Sequence, residues 1–274
     1  MQYVENHVAC RVCSARSFQI FEKRILERLD IRYHQCSACG HVQSEQPYWL
    51  KESYGKAEWN RDVGLVSRLL DTFHLTFALA WKLGISPQDA CVDFGGGTGL
   101  FARLCRDYGL NFYNYEPYAE DLFAYGFAIR QPKPAKLVTA FEVAEHFTDP
   151  VNDFAQLFSF EPDIVFFSTR LYEGQGGAWW YFLENGQHVA VYTLHSLDLI
   201  AKKFGYHFYS DFDFHLFSRA KQHPRIIKKL RGHRDKFALK YRKRYGSKIE
   251  QDVSNVFATT TSDVGKASEK RADQ

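Results

Sequence analysis

Four cysteines stand in two tight pairs, Cys10 with Cys13 and Cys36 with Cys39, the second pair followed by Gly40 and separated from the first by 22 residues. Thiolates spaced C-x-x-C on a tight turn can share one metal ion, and two such turns complete a tetrahedral four-sulfur site. Zinc is the expected ion. Its role is structural, because four thiolates leave no coordination position open. A second chemical signature lies in CVDFGGGTGLFARLC, where Asp93, Gly95, Gly97 and Gly99 form D-x-G-x-G-x-G. Glycines at the end of a strand and the start of a helix let the backbone turn sharply, and they let a ligand approach closer than any Cβ would permit. The loop reads as a cofactor site.

The loop does not name the cofactor. Gly97, Gly99 and Ala102 also meet the looser dinucleotide pattern G-x-G-x-x-A, with Glu116 about 20 residues beyond it. Glu116 ends NYEP, where a carboxylate can accept hydrogen bonds from both hydroxyls of an adenosine ribose. That role serves S-adenosylmethionine (SAM) and NAD equally. Cys91 and Cys105 fall in a strand and a helix pattern and read as core.

The elements that must position these groups follow from periodicity. Residues 1–54 hold the cysteine pairs around FQIFEKRILERLDIRYHQC, whose alternation predicts short strands. Residues 61–83 place apolar side chains at helical spacing. From Ala90 the order is ACVDFG (strand), GLFARLCRDYG (helix), NFYNYEP (strand), a mixed helix near 118–125, LVTAFEV (strand), VNDFAQLFSF (helix) and DIVFFST (strand). Strands alternating with helices predict a parallel sheet. A Gly-rich loop, EGQGGAWWYFLENGQH, precedes the helix HSLDLIAKKFG, which Gly205 closes, and YHFYSDFD with FHLFSRA reads as an edge hairpin. Residues 221–257 form a basic helical extension, and 258–274 are small, polar and expected to be disordered.

With 274 residues, 45% hydrophobic and 24% charged, the chain has the composition of a soluble globular protein with one large domain and a small appendage. The 24 Phe and 16 Tyr against a single Met imply a core built from rings and branched aliphatics. A net charge of +3 does not indicate a polyanionic partner. The absence of a long apolar run or a signal-like N-terminus leads us to expect a cytoplasmic protein without a transmembrane segment.

The sequence resembles class I SAM-dependent methyltransferases, in the branch related to ubiquinone-biosynthesis methyltransferases and to sugar C-methyltransferases with an N-terminal zinc domain. VDFGGGTG, NYEP and FEVAEHFTDP (141–150) carry the resemblance, together with the two C-x-x-C pairs, the segment YWLKESYG and the string Gly186-Gln187-His188. It covers roughly residues 8–220. It implies a Rossmann-like sheet, mostly parallel with an antiparallel last strand and helices on both faces, over 55–220, beside a zinc-ribbon or knuckle module over 1–54. It implies SAM as cofactor, with Phe141 and Glu142 bordering its pocket and the acid and histidine of FEVAEH near the transferred methyl group. A small-molecule acceptor is implied, a nucleotide-linked sugar or a cell-surface polysaccharide precursor.

Methyl transfer requires alignment of the acceptor and removal of its proton. A histidine suits that work. His188 is the leading general base, His146 the second, and Tyr181 a hydrogen-bond donor to a developing enolate. Of Glu142 and Glu145, one is expected to touch ligand and the other to face solvent. Two rival functions stay open: a nucleic-acid methyltransferase, prompted by Phe237, Tyr241 and Tyr245 within a basic stretch, and a non-catalytic scaffold of the same fold.

Overall fold

The computed structural model describes residues 7–55, 63–232 and 234–255. The N-terminal part is an antiparallel meander of β1 (His7–Ala9), β2 (Arg16–Ile25), β3 (Leu29–Cys36) and β4 (Val42–Ser44), followed by the short helix α1 (Leu50–Gly55). One cysteine pair lies in the β1–β2 turn and the other at the β3–β4 turn, so pairing of the strands brings the two turns together.

The helix α2 (Leu65–Leu83) begins later than residue 61, and residues 61 and 62 lie outside the described ones. It buries Phe73, Phe77 and Ala80 at helical spacing and closes on Gly84, whose φ is 66°. A seven-stranded sheet follows, built from β5 (Ala90–Phe94), β6 (Asn111–Tyr115), β7 (Ala128–Ile129), β8 (Leu137–Phe141), β9 (Ile164–Ser168), β11 (His207–Asp211) and β12 (Phe214–Ser218). Its order is β11-β12-β9-β8-β5-β6-β7, parallel from β9 to β7 and antiparallel through β12 and β11. The expected edge hairpin is thus present.

Successive residues of a strand face opposite sides, and both sides here are apolar because helices cover both. Cys91, Phe112, Leu137 and Phe166 face one core, which α2, α3 (Leu100–Asp107), α6 (Ile226–Arg231) and α7 (Asp235–Tyr245) cover. Val92, Val138, Val165 and Phe167 face the other, beneath α4 (Pro150–Phe158) and α5 (Leu194–Lys203). Cys91 and Cys105 are fully buried, as expected. At the end of α5 the N–H of Tyr206 reaches the Ala201 carbonyl (2.8 Å) and that of Gly205 the Lys202 carbonyl (3.2 Å), with Gly205 at φ 79°. This paired cap is why a glycine stands there.

One expected element is absent. Residues 118–125 form turns and bends, not a helix. Their backbone donors are drawn elsewhere: Glu116 accepts from the N–H groups of Tyr118 and Ala119, and the Thr98 carbonyl accepts from Leu122 and Phe123. The segment is tied to the glycine loop and cannot close its own i→i−4 ladder.

The two sheets meet through β10 (Ala190–Val191), which pairs with β4 and so completes the N-terminal sheet from within the later chain. Tyr33, Trp49, Tyr181 and Phe182 fill the core between them. In the basic extension, Tyr241 is fully buried with its hydroxyl on the Ile85 carbonyl (3.1 Å), and Phe237 packs on Trp81 of α2. Residues 258–274 lie outside the described residues. Among the described residues no helix is long and apolar enough to cross a membrane.

Candidate active site

Strand order reverses at β5, whose neighbours are β6 on one side and β8 on the other. In such sheets ligands bind at this switch point, outside the carboxyl ends of the strands. The glycine loop follows β5, Glu116 follows β6, the FEVAEH segment follows β8, and the loop carrying Tyr181 and His188 follows β9. All of them therefore stand on one edge of the sheet.

In the glycine loop, Gly95, Gly97 and Gly99 have φ of 69°, 54° and 81°, the left-handed region that side chains disfavour. Their surroundings differ. A Cβ on Gly95 would meet Val143 at 2.8 Å, and one on Gly99 would meet Ala124 at 2.7 Å, whereas one on Gly97 would stand in open space. Gly97 thus lines a cradle. Below it Asp93 is buried and accepts from the Thr139 hydroxyl (2.8 Å); burial pushes its carboxyl up to about 7. Asn114 donates to the Gly97 carbonyl (3.3 Å). Glu116 takes three backbone donors, Gly97 (3.1 Å), Tyr118 (2.7 Å) and Ala119 (3.2 Å). A carboxylate has about four lone-pair sites, so one remains for a ribose hydroxyl. The cradle and the acid beside it fit an adenosine.

Phe141 lies half-buried at the end of β8, its ring edge-on to Phe101 (5.2 Å between centroids) and Phe166 (5.5 Å). Glu142 is exposed, takes a strained φ of 56°, and accepts from the Ser168 hydroxyl (2.7 Å). Glu145 is fully buried, and neither of its carboxylate oxygens has a hydrogen-bond partner. Burial and the nearby charge of Glu142 raise its pKa. The two acids therefore divide between surface and interior.

His146 and His188 face each other edge to plane with centroids 5.0 Å apart. The Nδ1 of His188 lies 2.7 Å from the Tyr181 carbonyl, and the Nδ1 of His146 lies 3.0 Å from the Tyr54 hydroxyl and 3.2 Å from the Gln187 carbonyl. Burial lowers both imidazoles, His146 to about 4, so both are neutral at pH 7. Glu145, His146 and His188 each offer a ligand atom, and these lie within 4.8 Å of one another. The Tyr181 hydroxyl accepts from the Arg170 N–H (3.1 Å) and bonds Thr169 (3.0 Å). Trp180 is exposed, with the Arg170 guanidinium 5.6 Å from its ring centroid.

The G-Q-H loop is held from the N-terminal module. Tyr33 donates to the His188 carbonyl (3.1 Å), Trp49 to Gly186 (2.8 Å), Ser53 to Asn185 (2.5 Å) and the Leu26 N–H to Glu184 (2.8 Å). Tyr54, Thr169 and Asn114 were not singled out from the sequence. Tyr54 stands in the YWLKESYG string, a usable signal, but nothing local marks Thr169 or Asn114.

The cysteine turns face each other, with Sγ atoms 3.6 Å apart for Cys10 and Cys39 and 3.4 Å for Cys13 and Cys36, and all four within 4.8 Å of one another. Disulfide sulfurs would be about 2 Å apart. Tetrahedral zinc with Zn–S of about 2.3 Å separates sulfurs by about 3.8 Å, so this donor set fits that ion. Backbone N–H groups of Val12, Ala38 and Cys39 point at the sulfurs (each 3.4 Å). Each turn ends on a positive φ, Ser14 at 63° and Gly40 at 72°.

A family model described as "Methyltransferase domain" matches residues 65–210. No curated protein matches the chain in sequence. Among solved structures, the chain is similar to magnesium protoporphyrin IX methyltransferase of Synechocystis PCC 6803 with bound S-adenosylhomocysteine (SAH), at 14% identity and TM-score 0.40 over 63% of this chain and 95% of that one. It is similar to a possible histamine N-methyltransferase of Thermotoga maritima at 14% identity and TM-score 0.44, over 63% of this chain and 99% of that one. It also resembles CalO1, a methyltransferase of calicheamicin biosynthesis in its SAH-bound form, at 14% identity and TM-score 0.43, over 64% of this chain but only 60% of that one. With the family model spanning more than half of the chain, and with the glycine loop, strand order and acidic strand end that such a domain uses, the protein belongs to the methyltransferase domain family, as a SAM-dependent enzyme of Rossmann-like fold.

Proposed function

We propose that the protein transfers a methyl group from SAM to a small-molecule acceptor, of which a nucleotide-linked sugar or a polysaccharide precursor is the class favoured by the resemblance to zinc-domain methyltransferases. The open cradle over Gly97, beside Glu116, carries the reading. SAM supplies an electrophilic methyl on a sulfonium. The chain supplies the geometry: the backbone around Gly95, Gly97 and Gly99 approaches the cofactor, Asp93 fixes the loop from below, Glu116 takes a ribose hydroxyl, and Phe141 and Glu142 border the pocket.

An acceptor group set among Glu145, His146 and His188 meets two neutral imidazoles, which can take its proton as the methyl arrives. His188 is the first base and His146 the second. The Tyr181 hydroxyl, polarised by the Arg170 N–H, is the donor to a developing oxyanion. The four cysteines bind one structural zinc ion. The working compartment is a reducing cytoplasm, where such cysteines stay reduced and available to the metal. Phe237 and Tyr241 are engaged in packing on α2 and the sheet, which weighs against a nucleic-acid acceptor.

Isothermal titration of the zinc-loaded protein with SAH tests this without the acceptor. Saturable one-site binding is the expected result, and absence of binding would remove the enzymatic reading in favour of a scaffold.

A further inference from the structure

A buried polar group without a partner is costly. An ionised carboxylate in an apolar interior costs several kcal/mol, and native proteins nearly always satisfy such groups. Glu145 breaks this rule at both oxygens while fully buried. It does so beside two imidazoles whose Nδ1 atoms are already engaged, His188 with the Tyr181 carbonyl and His146 with the Tyr54 hydroxyl and Gln187 carbonyl. That arrangement leaves each Nε2 lone pair available.

Burial and Glu142 raise the Glu145 carboxyl, and the Tyr181 and Thr169 hydroxyls are donors near it, so in the metal-free protein this carboxyl holds a proton. The ligand atoms of Glu145, His146 and His188 nevertheless converge within 4.8 Å of one another, and a cation can take that proton's place. We propose that Glu145, His146 and His188 form a second metal site, distinct from the cysteine cluster, that takes one divalent transition-metal ion such as Zn2+, Co2+ or Mn2+. One carboxylate and two imidazoles are a donor set for such ions, whereas Ca2+ and Mg2+ favour oxygen ligands. The carbonyl of Tyr181 at His188 Nδ1, and the Tyr54 hydroxyl and Gln187 carbonyl at His146 Nδ1, are the outer partners that orient ligating imidazoles.

Three protein ligands leave positions open for an acceptor oxygen, which a bound cation would polarise and acidify. In the loaded protein His188 and His146 then serve as ligands, and acidification by the ion takes the place of a histidine base. The site goes beyond the methyl-transfer reading and does not depend on it, since metal uptake and SAH binding are separate measurements.

The test is a titration of Co2+ into protein whose cysteine site has first been filled with zinc, followed by visible absorption, with SAH affinity measured on the same samples. One further equivalent is expected, showing d–d bands without thiolate charge transfer. Its affinity should fall at least about tenfold in both Glu145→Gln and His188→Gln, with circular dichroism on each variant showing the parent fold. No second equivalent in protein that binds SAH would overturn the metal site alone. So would cobalt uptake that is unchanged in both variants. Cobalt uptake with no SAH binding would leave the metal site standing and overturn the cofactor reading.

Discussion

At the scale of the residue, Gly97 and Gly96 separate a ligand contact from a packing requirement. A Cβ on Gly96 would meet Asn114 Oδ1 at 2.1 Å and Asp93 Oδ2 at 2.5 Å, while one on Gly97 meets nothing. Gly97→Ala is therefore expected to fold with a loss of only about 1–2 kcal/mol, the cost of a left-handed φ, yet to lose SAH affinity by at least about tenfold. Chemical denaturation and calorimetry on one preparation check both numbers. Gly96→Ala should show the reverse order, with the fold failing first. Glu116→Gln has a related consequence: the amide accepts through one oxygen instead of two, so one of the three backbone donors it holds is released as ribose affinity falls.

At the scale of the element, the loop bearing His188 is shaped by the N-terminal module. Four hydrogen bonds from Tyr33, Trp49, Ser53 and Leu26, together with the β4–β10 pairing, hold residues 184–191. The second cysteine turn is also tied to α5: the Thr193 hydroxyl donates to the Cys39 carbonyl (2.6 Å) while capping that helix by accepting from the Ser196 N–H (3.1 Å). Metal removal by a chelator should loosen both turns and then this loop. Hydrogen exchange at residues 184–191 is expected to rise on chelation, with exchange in α3 and SAH affinity nearly unchanged. Equal acceleration in α3 would refute this division. Tyr33→Phe removes one buried donor to the His188 carbonyl and should cost about 1–3 kcal/mol, with the His188 loop as the segment that exchanges faster.

At the scale of the whole molecule, the C-terminal extension is fastened by a charged contact. Arg106 of α3 donates to both carboxylate oxygens of Asp252 (2.8 and 2.5 Å), and Arg103 adds a third contact at 2.8 Å. Burial pushes the Asp252 carboxyl up, but the two guanidiniums outweigh it and hold the carboxyl below its ordinary range. Its stabilisation is present above the ordinary carboxylate pKa and is lost as pH falls through the lowered value. Asp252→Asn leaves Arg106 buried without its partner charge and is expected to cost about 3 kcal/mol at pH 7, with that difference shrinking in acid.

His215 gives an independent pH signature. Its Nε2 donates to the Thr169 carbonyl (3.0 Å), Ser210 occupies Nδ1 (3.0 Å), and burial lowers it from 6.5 to about 4. The unfolded chain binds that proton more readily, so stability falls as pH drops from 6.5 to about 4, by about 3 kcal/mol from this group. Because other buried groups titrate in the same window, the check is the stability difference between the parent and His215→Asn, which should shift against the parent as pH falls from 7 to 4.5; a constant difference would contradict the buried, neutral assignment.

What the sequence determined by itself was local. Short apolar runs alternating with helical segments specified β5, β8 and β9, and period-3.6 patterning specified α2, α4 and α5, because each run or face is defined by its own residues. The C-x-x-C turns and the glycine loop were legible because their chemistry depends on spacing within a few residues. Tertiary structure decided everything that depends on where a backbone donor finds its acceptor. Residues 118–125 have a helical composition, yet Thr98 and Glu116 capture their N–H groups. Glu142 and Glu145 are indistinguishable as neighbours in FEVAEH, and only the packing of residues 181–189 over the end of β8 sends one to solvent and encloses the other. The same packing brings His146 and His188, 42 positions apart in the chain, onto that buried carboxylate. No local pattern records such a convergence, because burial and electrostatics act through space.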